Sequence, residues 1–437
     1  MLSNENLEAI SLFSSSGIGE KGLQKAGVEV LVANEKVKNR AELYCQNFPT
    51  CKMFNSDIWE CKEDLIKEAR ALSKSDQIFL VYATPPCQGM STNGAGTLKK
   101  NRYLGKLSKF DPRNQLIIPA MDVICELNPE WVLFENVPLM RNTVIDVDGE
   151  GINIIDYIRS RLGKLYVGGC EVISCSDYGV PQLRKRLLTV FTKEYNGKKF
   201  LTENDFNLFE QRDKSTPISI KEALAGIPKL DAKDGHNSRI DFHPLHFVSK
   251  FSKKKYWWVS NTPEGDTAFN NQCVNESCMF TGNRKHVDII ENGKAVSSRS
   301  TPLYCSKCGS ELPRPSVFDK DMGKLRLIKG FHSAYRRMRG DLPARSITRN
   351  FRFEASDNKI HPSENRTLSA YEATVIQTLN QYNYDWTIKQ KRVSMKVISD
   401  CLGEAVPPLL IEKVVRKMIA ISQSEIKKNG QLKLIYP

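Results

Sequence analysis

The chain has 437 residues, with 64 Lys+Arg against 50 Asp+Glu, a formal charge of +14 that points toward a polyanionic partner, nucleic acid foremost. Its AVILMFWYC fraction of 40%, with 26 Gly besides, is ordinary for a globular protein of two or three cores and excludes disorder as the global state. Apolar runs are too short to span a membrane, and the start (Asn4, Glu5, Glu8) lacks the basic and apolar regions of a secretory leader, so no membrane partner is expected.

The first half alternates short apolar runs (residues 9–13, 28–33, 78–83 and 131–134) with helical stretches. Continuous rather than alternating hydrophobicity suits strands buried on both faces, which predicts an α/β fold with a doubly wound, mostly parallel sheet. Ligands in such a sheet bind at the carboxyl ends of strands. The first run ends in Phe13-Ser14-Ser15-Ser16-Gly17-Ile18-Gly19, small residues that permit either close approach to a ligand or a plain strand-to-helix turn. After the second run stands Glu35, spaced to accept hydrogen bonds from ribose hydroxyls. Asp57 fits either an adenine amino group or the N-cap of a helix beginning at Ile58.

The third run leads into Thr84-Pro85-Pro86-Cys87. The prolines rigidify the approach and put the cysteine at a strand's carboxyl end, where reactivity is a better reading than burial. Residues 88–110 carry Lys99, Lys100, Arg102, Lys106, Lys109 and no acid, which fits a basic flap or a solvated loop. Glu135-Asn136-Val137 follows the fourth run and fits a cytosine-binding carboxylate or a capping turn. Farther on, Arg184 and Arg186 flank Lys185 in an extended segment, which places the two guanidiniums on one face, costly without an acceptor-rich partner.

Beyond about Thr192 the sequence becomes polar and turn-rich, which predicts a second domain. Within it, Cys273-x4-Cys278 and Cys305-x2-Cys308 resemble the knuckles of a zinc ribbon, and four thiolates suit a closed tetrahedral site. Two disulfides or free thiols are the alternatives. Residues 324–349 hold eight Lys/Arg and one acid, read as a DNA-contacting stripe. Tyr256-Trp257-Trp258 fits core or a base-contacting wedge equally. From about Met395 a helical pattern returns, with Leu409, Leu410, Val414, Val415, Met418 and Ile419 on one face.

Taken together, the Pro-Pro-Cys segment, Glu135-Asn136-Val137, Gln182-Leu183-Arg184-Lys185-Arg186, Arg345 to Thr348, Arg366 to Glu372 and Gly403 to Pro408 resemble DNA cytosine-5 methyltransferases of bacterial restriction systems. The resemblance implies a Rossmann-like domain using S-adenosylmethionine as methyl donor and double-stranded DNA as substrate. It implies that Cys87 adds to C6 of a flipped-out cytosine, that Glu135 holds N3 and N4, that Arg186 contacts O2, and that Arg184 supports the site. Phe13 would stack on the cofactor adenine, Glu35 would hold its ribose, Asp57 and Ile58 would bracket the adenine, and Gly17, Gly19, Leu116 and Ala405 would complete the cofactor site. Two departures stand out. The usual Phe-x-Gly-x-Gly-Gly has Ser and Ile at two glycine positions, and the usual Gly-Asn-Ala/Ser-Val reads Gly403-Glu404-Ala405-Val406.

The domain expectation is a catalytic unit of residues 1–192 completed by 388–437, with a target-recognition unit of 193–387 carrying a zinc-ribbon insert at 270–312. A cytoplasmic, monomeric enzyme follows from the resemblance, protecting host DNA beside a cognate restriction endonuclease. Methylation of RNA, or zinc-ribbon binding of nucleic acid with a silent methyltransferase domain, are the competing functions. A zinc cytidine deaminase is excluded because no His-x-Glu occurs.

Overall fold

The computed structural model describes residues 7–75, 77–86, 111–210, 213–291, 294–297, 300–328, 333–356, 359–426 and 432–433. Seven strands form the central sheet: β1 (Leu7–Leu12), β2 (Val28–Asn34), β3 (Lys52–Phe54), β4 (Leu80–Ala83), β5 (Trp131–Asn136), β6 (Val167–Ser174) and β7 (Lys185–Thr192). Their order is β3-β2-β1-β4-β5-β7-β6, and all run parallel except β7, which is antiparallel to both neighbours. The α/β sheet expected from the apolar runs is present. β5 extends two residues beyond its run, so Glu135 and Asn136 belong to the strand.

Both faces of the sheet are covered, which is why its strands read as unbroken apolar runs. Ile10, Leu12, Val81, Val132 and Phe134 face helices Ile58–Leu72, Ile117–Leu127 and Ile154–Leu162. Their strand neighbours Ala9, Leu80, Tyr82 and Leu133 belong to a second cluster with Leu410, Ile411, Val414, Val415 and Met418 of helix Pro408–Ser422. The C-terminal helical pattern therefore buries the expected face against the first half of the chain.

A third cluster joins Ile18 and Leu43 to Leu245, Met338, Ile347, Phe351, Ala373 and Leu402. A fourth gathers Trp258, Val259, Phe269, Leu327, Tyr335 and Ile360. Trp258 is thus core, Trp257 packs against the same cluster, and the Tyr256 hydroxyl donates to Asp231 at 2.8 Å. The wedge reading of this aromatic triplet does not hold.

The basic run 324–349 also departs from expectation. Arg337 is buried, and its guanidinium donates to five oxygens, the carbonyls of Val259, Thr262, His361 and Glu364 and the side chain of Asn365. It satisfies turn carbonyls that burial would otherwise orphan. Arg326 pairs with Asp319, Arg339 with Asp341 and Arg349 with Asp400, so the run is not one solvent-facing stripe. Lys329, Gly330 and Phe331 lie outside the described residues. Among the described residues no helix is long and apolar enough to cross a membrane.

Candidate active site

The strand order reverses between β1 and β4, and the crevice of a doubly wound sheet opens at such a point. The turn after β1 is bent tightly there. Phe13 and Ser15 take left-handed φ values of 60° and 48°, and Gly17 follows at 81°. A Cβ on Gly17 would meet Phe48 at 2.5 Å, so this position admits only glycine. Thr84, after β4, ties the two strand ends together by donating from Oγ1 to the Phe13 carbonyl at 3.0 Å.

Glu35 follows β2 and receives two backbone donors, Ser15 N at 2.9 Å on Oε2 and Val37 N at 2.6 Å on Oε1. Burial raises its carboxyl above the ordinary range, against the pull of the Val37 N–H and Arg40. Asp57 caps helix Ile58–Leu72 through Trp59 N at 3.1 Å and pairs with Lys36 at 2.8 Å, a contact that helps hold its carboxyl low. The capping role is therefore realised, and Asp57 also faces the crevice. A cleft of about 1480 Å³ is lined by Phe13, Gly19, Glu35, Asp57, Ile58, Leu116 and Ala405 toward one side and by Glu135, Arg184 and Arg186 toward the other. Gly17 lies behind this wall, against Tyr44 and Phe48.

At the second side, Arg186 Nε stands 2.5 Å from Glu135 Oε1. Glu135 is fully enclosed, and its desolvation outweighs the attraction of Arg186 and Arg184, so its carboxyl titrates above the usual range. Asn136 Nδ2 donates to the Pro85 carbonyl at 2.9 Å, which locks the end of β5 to the two prolines. Pro85 and Pro86 line the cleft; Cys87 and the flap 88–110 lie outside the described residues.

Arg184 is buried and turns away from Glu135 toward backbone. Its Nη1 donates to Ile347 O at 2.9 Å, and its Nη2 to Gly403 O and Glu404 O at 3.2 and 3.4 Å. The segment it grips runs along the cleft wall: Ala344–Arg345 pairs in parallel with Gln182–Leu183, and residues 345–350 line the opening. Gly403 is needed at this junction because a Cβ would lie 2.2 Å from Arg349 N.

Three further residues act at the site: Gln182 opens the Gln182–Arg186 motif, whereas Lys359 and Glu20 carry no signal in the sequence. Gln182 is buried and accepts from Ile347 N at 2.8 Å, while Lys359, also buried, donates to Ser346 O at 2.6 Å. Glu20 lies at the cleft floor, receives a 2.6 Å hydrogen bond from Ser11 Oγ, and is pushed by burial to a pKa of about 7.

The four cysteines of the second half come together away from the cleft. Their sulfurs all lie within 4.8 Å of one another, with Cys273 to Cys308 at 3.6 Å and Cys278 to Cys305 at 3.9 Å. A tetrahedron of sulfurs about 2.3 Å from a central ion has edges of about 3.8 Å, whereas a disulfide requires about 2.05 Å. The observed spacing matches the former.

Comparison with known proteins identifies the family. The profile of the family described as C-5 cytosine-specific DNA methylase matches residues 7–420. The Type II methyltransferase M1.HgaI of Avibacterium volantium is 28% identical over 423 residues, covering 95% of this chain and 98% of that one. The Type II methyltransferase M1.HphI of Haemophilus parahaemolyticus is 24% identical, covering 96% and 88% respectively. Among solved structures, one described as a DNA modification methyltransferase encoded within an E. coli prophage superposes with a TM-score of 0.57 at 17% identity, over 95% of this chain and 99% of that one; the fold is shared.

Proposed function

Because the chain belongs to the C-5 cytosine-specific DNA methylase family, we propose that its cleft brings a methyl donor and a flipped-out cytosine together between two opposed walls. The observation that carries this reading is that Phe13, Glu35 and Asp57 line the same cleft as Glu135, Arg186 and the Pro85-Pro86 approach to Cys87. S-adenosylmethionine, the donor implied by the family, supplies an electrophilic methyl group when bound. The Glu35 carboxylate, aimed by two backbone N–H groups, suits ribose hydroxyls; Phe13 and Ile58 offer apolar contact to adenine, and Asp57 an acceptor for its amine.

On the other side, Cys87 adds as thiolate to C6 of cytosine. This supplies electron density to C5, a poor nucleophile on its own. Glu135, with its raised pKa, holds N3 and N4 as charge builds there, and Arg186 orients that carboxyl while reaching O2. Methyl transfer to C5 would release S-adenosylhomocysteine, after which C5 would give its proton to solvent and the Cys87 thiolate would be eliminated from C6. Extrusion of the base costs a few kcal/mol, which contacts of the flipped base with Glu135 and Arg186 and the attraction of DNA phosphates to the basic residues of 88–110 would offset.

We assign residues 1–192 and 388–437 to catalysis and 193–387 to target recognition, with the insert 270–312 folded around a structural zinc ion held by Cys273, Cys278, Cys305 and Cys308. The sulfur spacing supports the zinc. Similarity to proteins named Type II methyltransferases supports a role in restriction-modification, and to this reading we add a cognate restriction endonuclease and a monomeric enzyme acting on cytoplasmic DNA. Bisulfite sequencing of DNA from cells expressing the wild type and Cys87→Ala tests the reading. Protected cytosines in one sequence context are expected only with the wild type. Labelled methyl appearing in tRNA and not in duplex DNA would overturn it.

A further inference from the structure

The cleft lining includes four exposed cations, Lys36 paired with Asp57 and three others, Lys185, Arg345 and Arg349, whose surroundings differ. Lys185 and Arg345 have no recorded ion pair among the described residues, whereas Arg349, with 47% of its side chain exposed, is held by two acids. Its Nε lies 2.8 Å from Asp400 Oδ1, and its Nη1 lies 3.3 Å from Glu404 Oε1. Glu404 in turn receives Arg40 Nη1 at 2.8 Å, and Asp400 receives Lys396 at 2.9 Å.

Glu404 occupies the position where the family pattern has asparagine. An amide cannot neutralise two guanidiniums, so the carboxylate is matched to this chain's Arg40 and Arg349 rather than to the family's general chemistry. Its backbone is already fixed by Arg184 and by the close approach of Gly403 to Arg349 N. The side chain is therefore not required to hold the local chain path. Its remaining effect is electrostatic: its carboxylate lines the cleft between Arg40 and Arg349, within reach of Glu35.

We propose that Glu404, with Asp400, holds Arg349 away from DNA phosphates and so lowers the sequence-independent affinity of the cleft for DNA. A duplex seated in the cleft draws Arg349 onto a phosphate, and Arg40 retains Glu404. Target and non-target DNA alike must separate Arg349 from its acids, so the cost weakens binding that rests on phosphate contact alone. The inference rests on the proposed entry of duplex DNA into this cleft.

The test measures binding of a 30-base-pair dA·dT duplex, which contains no cytosine, across a salt series. Glu404→Gln is expected to bind it about 3- to 10-fold more tightly than wild type at low salt, with the slope of log K against log salt steeper by about 1. Glu404→Asn, which restores the family residue, repeats the measurement should the first variant fold poorly. Adding Arg349→Gln to either variant is expected to abolish the gain. Unchanged affinity and slope, or a gain that persists without Arg349, would overturn the inference. Methyl transfer to duplex DNA by the wild-type preparation checks the underlying function separately.

Discussion

Arg186 and Glu135, 51 residues apart in sequence, meet as a buried ion pair at 2.5 Å because β5 and β7 are antiparallel neighbours. Glu135 pairs across the sheet with Leu188, two residues beyond Arg186, so the pair sits at the strand ends facing the cleft. Replacing Glu135 with Gln keeps the volume and removes the carboxyl that exchanges a proton. Methyl transfer is expected to fall about 100-fold or more, with donor affinity changed less than 2-fold, since the donor side does not include this residue. Single-turnover transfer and equilibrium binding of S-adenosylhomocysteine measure the two quantities.

The cysteine quartet predicts one zinc per chain by elemental analysis of protein purified without chelator. Cys305→Ser is expected to remove that zinc and to loosen residues 270–312, detected as new proteolytic cleavage there. Full retention of zinc by this variant would contradict the four-sulfur site.

Ser15 stands at φ 48°, where a Cβ costs about 1 to 2 kcal/mol. Glycine removes that cost but loses about 0.5 to 1 kcal/mol of unfolded-chain entropy. Relief of strain is the larger effect, so Ser15→Gly is expected to stabilise by about 0.5 to 1 kcal/mol in urea denaturation. The Ser15 N–H to Glu35 bond belongs to the backbone and survives the change.

Glu20 gives a pH dependence with a definite sign. Its folded pKa of about 7 lies above the ordinary 4.5, so its stabilising contribution is complete below pH 4.5 and is lost as pH rises through 7. Ser11, Tyr82 and Tyr44 surround it as neutral groups, and Glu35 adds a like charge. Glu20→Gln has no such loss. Its stability relative to wild type should therefore grow between pH 5 and pH 8, by up to about 3 kcal/mol. A gap that stays constant across that range would refute the assignment.

The sheet was legible because buried parallel strands leave unbroken apolar runs, and Glu35 and Glu135 were legible because they follow such runs, while Asp57 was legible by its place before the helix at Ile58. Other features were not. β3 is three residues long and only partly buried, too short to show a period. Gln182 and Lys359 act by gripping backbone far away in sequence, which spacing does not reveal. Arg337 misled because composition counts a guanidinium as surface charge whether it meets water or five protein oxygens. The Tyr256–Trp258 triplet was ambiguous for a related reason: an aromatic residue beside lysines looks alike in a core and at an interface.

The grip of Arg184 on residues 347, 403 and 404 also sets a condition on when the enzyme comes into being during synthesis. Six of the seven sheet strands lie before residue 175, but the base side of the cleft depends on an arginine whose acceptors emerge from the ribosome more than 160 and 215 residues later. A nascent chain released early contains Cys87 but lacks the acceptors that complete this wall. Methyl transfer by chains ending before residue 347 is therefore expected to be lost even though six sheet strands are complete.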